Sequence, residues 1–478
     1  MINDFFNILL PQACLITFIL LHLVLSIILS PKHYRYARLM SVIGITLSIF
    51  LLSTVQTEPQ YFGLRGALMS DSYTLLFHFM ILLCGFFVTI LTKNLVESLK
   101  QNAYTFHAVL LTAILGAMFI VSSNDFLTLF ISIEMLSIPT YFLIATKNEY
   151  YSKEAAFKYL ITNAVSTGVF LFGVSYLYGL TSSINLNEIY EYVTNINPSL
   201  LLTFSGLMIV LGLISKLAIF PFANWIIDVY KGCETSILAF LSTIPKLAMF
   251  GILCRLLVFS LGTSFELSFV IIIISLVTGF WANTYAIKEK NVKAIFACSS
   301  SANASYILFA ASLVSVYNLS TVIFYLITYV IINIGAFSYL NIVEANNTGF
   351  NINDFKCLFH KNHSISLCYV ILVIALAGFP ITSGFIAKIY LFTAIANSGL
   401  IFVPFLMILL LLMVVALYYY LKIIIPLFAY DDKNLNIKPL KSLFTQNLVL
   451  YITTFITVFL GIFPEKLIEL CKIIAYNI

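Results

Sequence analysis

Ser215-Lys216-Leu217-Ala218-Ile219-Phe220-Pro221-Phe222 decides how this chain is to be read. A lysine and a proline share one long apolar run. Proline removes a backbone hydrogen bond, and a charge at the centre of a membrane helix costs roughly 2.5–3.5 kcal/mol. The run therefore reads as a membrane helix broken beside a charge that must face something polar. The same pairing recurs where Gly378-Phe379-Pro380 leads to Lys388. Outward from these two points, Glu134, Lys158 and Lys246 also fall inside apolar runs long enough to cross a bilayer. Facing lipid unpaired, the five charges would cost on the order of 12–17 kcal/mol. They must line a polar interior, and a polar interior in a bilayer implies movement of something through it.

Composition sets the class. With 61% hydrophobic residues, 9% charged residues and a mean hydropathy of +1.03, a soluble globule is excluded. Apolar runs of about 20 residues lie near 9–30, 37–55, 72–96, 104–122, 126–146, 156–181, 199–226, 235–260, 267–287, 294–315, 318–343, 364–398, 400–428 and 446–464. The expected fold is an all-α polytopic membrane protein of about 14 transmembrane helices. The first run lacks a basic flank and a small-residue cleavage site, so it is expected to be a retained helix.

Basic residues crowd the loops after odd-numbered segments, among them Lys32, Arg35, Arg38, Lys93, Lys100, Lys147, Lys153, Lys288, Lys290, Lys293, Lys433 and Lys438. Loops after even-numbered segments hold only Arg65. The positive-inside rule places the odd loops in the cytoplasm and both termini outside. The net charge of +5 then reflects orientation and gives no reason to expect nucleic acid as a partner.

The eight cysteines are scattered without a C-x-x-C, so no zinc or iron–sulfur ligation is expected in this chain. His360 and His363 form an H-x-x-H in a loop, without carboxylate or thiol company. No phosphate-binding glycine motif appears. Paired breaks in segments 7 and 12 suggest two inverted five-helix repeats, each containing one broken helix. Tyr159-Leu160-Ile161-Thr162 near the start of segment 6 is echoed by Tyr325-Leu326-Ile327-Thr328 in segment 11, again five segments apart. The expected organisation is residues 1–103 as three N-terminal helices, 104–260 as the first repeat, 261–430 as the second, and 431–478 as a C-terminal helix.

Three stretches carry a resemblance. Ile131-Ser132-Ile133-Glu134-Met135-Leu136-Ser137-Ile138-Pro139, then Ser215 to Phe222 followed by Trp225 and Asp228-Val229-Tyr230, and Ala377-Gly378-Phe379-Pro380 leading to Gly384-Phe385-Ile386-Ala387-Lys388, resemble the antiporter-like membrane subunits of proton-pumping NADH:quinone oxidoreductase, complex I. The N type is the nearest in kind, because the chain is short, lacks a long lateral helix and carries lysine at 388. The resemblance implies a proton channel without its own redox centre or cofactor, driven by quinone reduction elsewhere. NAD, FMN, iron–sulfur clusters and quinone are expected on partner subunits. The other membrane subunits and the lipid bilayer are the expected partners.

The residues fit that role. Burial disfavours a charged lysine and a nearby carboxylate favours it, so moving the carboxylate would toggle the lysine between loaded and empty. Glu134 with Lys216 is the expected switching pair, Lys246 the central relay, and Lys388 the terminal carrier toward the outside. Lys158, read as lying on the first turn of segment 6, is expected to modulate Glu134, although a lysine there can also snorkel to the interface. Arg255 and Lys422 fall toward helix ends and read as headgroup or packing residues. Asn163, Ser166, Thr167, Ser299, Ser300, Ser301, Asn303, Tyr329 and Asn333 could hold a hydrated path.

Three departures stand against the family pattern. Asn303 and Ala223 occupy places where the family often carries histidine, and Ile227 replaces a proline beside Asp228. Asparagine orients water but does not exchange protons near neutrality. Two other readings compete: a subunit of a cation/proton antiporter or membrane-bound hydrogenase, and a purely structural subunit. The residue usage, rich in Ile, Asn, Phe, Tyr and Lys, suits an AT-rich genome. The bacterial plasma membrane is the expected site, with the mitochondrial inner membrane as the alternative.

Overall fold

The computed structural model describes residues 8–29, 31–55, 60–147, 149–195, 200–258, 265–429 and 439–476. Lys433 and Lys438 lie outside the described residues. In chain order the helices are α1 Leu10–Ile28, α2 Tyr34–Leu52, α3 Ser72–Leu91, α4 Lys93–Leu99, α5 Ala103–Ser122, α6 Phe126–Ile144, α7 Tyr150–Thr181, α8 Leu186–Asn195, α9 Leu200–Ser215, α10 Trp225–Gly232, α11 Thr235–Leu256, α12 Phe265–Lys288, α13 Val292–Ser312, α14 Val316–Ala345, α15 Leu358–Lys361, α16 His363–Ala377, α17 Ser383–Asn397, α18 Val403–Phe428, α19 Phe444–Ile462 and α20 Glu465–Tyr476. Among the described residues, twelve helices are long and apolar enough to cross a membrane. The seventh and twelfth expected segments are each present as two shorter helices, α9 with α10 and α16 with α17. All fourteen expected segments are thus helical.

Local sequence starts these helices. Asp71 caps α3 in a reciprocal box: Thr74 N–H donates to Asp71 Oδ1 at 2.7 Å and Asp71 N–H to Thr74 Oγ1 at 2.8 Å. Asp125 caps α6, Asn291 caps α13 and Ser315 caps α14, each side chain accepting from a first-turn backbone N–H. The caps satisfy orphan N–H groups that a bilayer interior would leave without partners.

Two compact units divide the chain. The first comprises residues 1–217, 243–270 and 474–478; the second comprises 218–242 and 271–473. In the first, α7 packs along α9 and α5 along α6. Small residues allow this close approach: a Cβ at Gly173 would lie 2.8 Å from Ile209 N, and one at Gly212 would lie 2.5 Å from Phe170 Cβ. In the second unit, α14 is the central helix, packed by α13, α16, α17 and α19.

Loop contacts check the parity of the helix count. Asn124 N–H donates to Ala67 O, and Leu186 N–H to Asn124 O, so loops following the second, fourth and sixth segments meet at one end of the first unit. In the second unit, Val292 N–H donates to Phe350 O and Ile352 N–H to Lys290 O, joining loops that follow the ninth and eleventh. Loops two segments apart share an end, as alternating spans require.

Four features depart from expectation. A short hairpin, β1 Tyr61–Gly63 with β2 Leu68–Ser70, pairs antiparallel with Gly63 opposite Leu68. The helices α8 and α20 are short and amphipathic, so a search for long apolar runs passes over them. The helix α7 begins at Tyr150, so Lys158 is two turns inside it and not on its first turn; polar residues continue the helix past the apolar run from a cap at Glu149. Arg255 is neither a headgroup nor a simple packing residue. It is fully buried, pairs with Asp71 at 2.5 Å, donates to Val121 O at 3.1 Å and lies over the Tyr73 ring. Its partner stands at the start of a helix far away in sequence, which a helix-by-helix reading does not bring together.

Breaking a buried pair from one side leaves an uncompensated charge. Arg255→Ala should therefore lower the stability of the detergent-purified chain by about 3–5 kcal/mol, measured by thermal unfolding. The double change Arg255→Leu with Asp71→Asn should recover most of that loss.

Candidate functional site

The first break occupies residues 216–224, between α9 and α10. Lys216 is its first residue, and Ala218 has a positive φ of 56°, a conformation that costs a residue with a Cβ about 1–3 kcal/mol. The break forms with Ile227 inside α10, so a proline at that position is not needed for it. Lys216 is 5% exposed, and its Nζ donates to Ser137 Oγ at 2.7 Å. Ser137 lies one turn beyond Glu134 on α6, on the same helix face. Glu134 Oε1 accepts from Thr167 Oγ1 on α7 at 3.1 Å. The expected pair is thus brought into one neighbourhood with serine as the direct ligand of the ammonium. Nothing in the sequence marked Ser137 for this part, although its spacing from Glu134 could have.

Glu134 itself is only partly buried. Leu127, Ile131, Ile138 and Phe142, at helical spacing around it, are all exposed, so the carboxylate sits in the outward apolar stripe of α6. Lys158 is about half exposed and pairs with Glu154 at 2.8 Å, one turn earlier on α7. Lys246 follows Pro245 inside α11 and is 3% exposed. Proline supplies no N–H to close the helical turn there.

The second break is built differently. The helix α16 ends at Ala377, Gly378 takes a left-handed φ of 86°, and Ile381 takes one of 71°. Lys388, on the second turn of α17, reaches back across the break. Its Nζ donates to Leu376 O at 2.7 Å and Ala377 O at 3.0 Å. These are last-turn carbonyls of α16, groups that an interrupted helix leaves unpaired and that form the negative end of its dipole. Among the described residues, this 4%-exposed ammonium is therefore held by backbone carbonyls alone.

A polar cluster fills the core of the second unit. Tyr325 OH donates to Asn303 Oδ1 at 2.7 Å, Asn303 Nδ2 donates to Ser299 O at 2.8 Å and to Tyr420 OH at 3.4 Å, and Tyr420 OH lies 2.5 Å from Ser299 Oγ. Tyr329 OH and Tyr230 OH both donate to Ser300 Oγ, at 3.0 and 3.4 Å. Ser299, Ser300, Asn303 and Tyr329 were expected in such a path; Tyr230, Tyr325 and Tyr420 were not, since tyrosines abound in the chain. At the helix ends, Lys293 pairs with Glu344 at 2.9 Å and donates to Cys233 O. Lys422 donates to Ile287 O and Glu289 O at the end of α12, a capping role in place of a headgroup contact. Among the described residues, no three His, Cys, Asp or Glu side chains gather as a metal site.

A transmembrane family described as NADH:quinone oxidoreductase/Mrp antiporter matches residues 123–415. NADH-quinone oxidoreductase subunit N of Bacillus anthracis is 34% identical over 380 residues, covering 75% of this chain and 74% of that protein. A chain of respiratory complex I from Thermus thermophilus, solved with bound aureothin, superposes with a TM-score of 0.81 at 24% identity, covering 96% of this chain and 98% of that one. A chain of the archaeal membrane-bound sulfane sulfur reductase superposes at 0.86 with 22% identity, covering 98% and 97%. The structural likenesses establish the fold.

Gly378 carries two constraints at once, since a Cβ there would be strained by φ and would lie 2.8 Å from Lys388 Cδ. Gly378→Val should destabilise the chain by about 1–3 kcal/mol in thermal unfolding. Gly168→Ala, where nothing lies within 4 Å of the added Cβ, should instead stabilise by up to about 1 kcal/mol.

Proposed function

The chain belongs to the NADH:quinone oxidoreductase/Mrp antiporter transmembrane family, and from that membership we propose that it is the N-type proton-translocating membrane subunit of an NADH:quinone oxidoreductase. The observation that carries the reading is the pair of buried lysines at the two helix breaks, Lys216 and Lys388, each held by uncharged oxygen ligands. Such a site binds a proton without neutralising it for good. Its occupancy then answers to any change in nearby charge.

Protons would load at Lys216 while Glu134 stands near it and pass on when that carboxylate moves or is neutralised. Lys246 would relay, and Lys388 would release toward the outside. Lys158, paired with Glu154, would set the field felt by Glu134. Residues 104–260 and 261–430 would be the two inverted repeats. Tyr159 and Tyr325 support this: each stands nine residues beyond the first residue of its helix, from Tyr150 to 159 and from Val316 to 325. The chain performs no redox chemistry in this reading; hydride and electron transfer through NAD, FMN, iron–sulfur clusters and quinone belong to partner subunits.

A neighbouring membrane subunit would cover the stripe around Glu134. Left in lipid, a carboxylate at that depth costs roughly 2.5–3.5 kcal/mol. The excess of basic residues in the odd loops supports a cytoplasmic face there and both termini outside, in a bacterial plasma membrane or, alternatively, a mitochondrial inner membrane.

Captured by a C-terminal tag from native membranes in mild detergent, the chain should bring down NADH-dependent quinone reduction with flavin and iron–sulfur partners. An inactive eluate from membranes that do oxidise NADH would refute the assignment. Within the active complex, Glu134→Ala, Lys216→Ala and Lys388→Ala should each lower proton translocation on the order of ten-fold or more, measured in proteoliposomes, with assembly intact. Lys422→Ala should leave pumping unchanged.

A further inference from the structure

At the end of α2 where the chain enters it, a cleft of 360 Å³ opens against α4, a volume in the range of small-ligand sites. Arg35, Arg38 and Lys93 line it with a single carboxylate, Glu97, and Leu39 and Val96 form its apolar wall. Three cations against one anion leave two positive charges facing the cleft. Arg35 Nε is occupied by Tyr34 OH at 3.3 Å. Arg38 Nη1, by contrast, is buried and has no hydrogen-bond partner among the described residues. A guanidinium offers a planar fork of donors that fits two oxygens of a phosphate.

The cleft does not end at the charges. Below it, Leu39, Ile43, Leu47 and Phe50 follow one another along α2 at helical spacing, and all are exposed. A cationic head site thus continues directly into an apolar track running along a membrane helix. A free inorganic anion would use only the first part. An amphiphile with an acidic head and long hydrocarbon chains would use both.

We propose that this cleft is a binding site for an anionic phospholipid. Its phosphate lies between Arg35, Arg38 and Lys93, and its acyl chains lie along the stripe from Leu39 to Phe50. Basic pockets between membrane helices select anionic lipid heads through such contacts. The proposal stands apart from the proton path, since none of these residues belongs to it.

Native mass spectrometry of the full chain, titrated with dioleoylphosphatidylglycerol or dioleoylphosphatidylcholine, tests it. The first phosphatidylglycerol should bind on the order of ten-fold more tightly than phosphatidylcholine. The double variant Arg35→Gln with Arg38→Gln, checked for unchanged helix content and monodisperse elution, should lose the preference. Lys93→Gln should lose part of it, and Lys288→Gln with Lys290→Gln should keep it. Equal binding of the two lipids, or a preference that survives the arginine changes, would overturn the proposal. Inorganic phosphate displacing the lipid as well as short-chain phosphatidylglycerol does would assign the cleft to a free anion. A photo-crosslinker at Leu39 that captures a polypeptide in the intact complex would assign the stripe to a protein partner.

Discussion

A backbone carbonyl inside a bilayer has no water to pair with, so a helix can be interrupted there only if the protein supplies a donor. The second break meets this condition with a charge. The carbonyls of Leu376 and Ala377, freed where Gly378 turns the chain, are met by the ammonium of Lys388. The interruption needs the lysine, and the lysine, which has no counter-ion in contact among the described residues, needs the interruption. The ammonium also meets the negative end of the α16 dipole, so the charge on Lys388 and the geometry of the break are linked.

The first break uses a different ligand. Lys216 turns to a hydroxyl on α6, and the carboxylate three residues earlier on that helix is held by Thr167. Here the ammonium can exchange one neutral ligand for another, or for an approaching carboxylate, without unpairing a helix end. The two buried lysines are therefore held by unlike means. Lys216 is bound by a hydroxyl on a neighbouring helix, and Lys388 by the backbone of its own broken one.

Much of this was legible in the sequence because the bilayer imposes a length. Every expected apolar run is helical, and Pro221 and Gly378-Phe379-Pro380 mark the two interruptions. Elements that do not answer to that length were invisible to it. The helix α8 buries only Leu186, Ile189 and Val193 as one face, and α7 outruns its apolar stretch on the strength of a cap. Of the site, the charged members could be found because burial makes charge conspicuous. Ser137, Tyr325 and Tyr420 could not, since hydroxyls are ordinary in membrane helices and their partners are distant in sequence. Arg255 shows the same limit from the other side: its charge was visible, but Asp71, 184 positions away, was not recognisable as its partner.

The polar core around Asn303 has a direction. A hydroxyl both donates and accepts, so a chain of hydroxyls can reverse by rotating each O–H. An amide cannot exchange its ends in this way. Asn303 accepts from Tyr325 through Oδ1 and donates toward Tyr420 through Nδ2, while in the Tyr420–Ser299 contact either hydroxyl can donate. The step from Tyr325 through Asn303 to Tyr420 is therefore polarised one way while that side chain keeps its orientation. An imidazole in this position could take a proton on one nitrogen and lose it from the other, resetting the chain as it did so. With asparagine the cluster can orient its neighbours but cannot carry the proton.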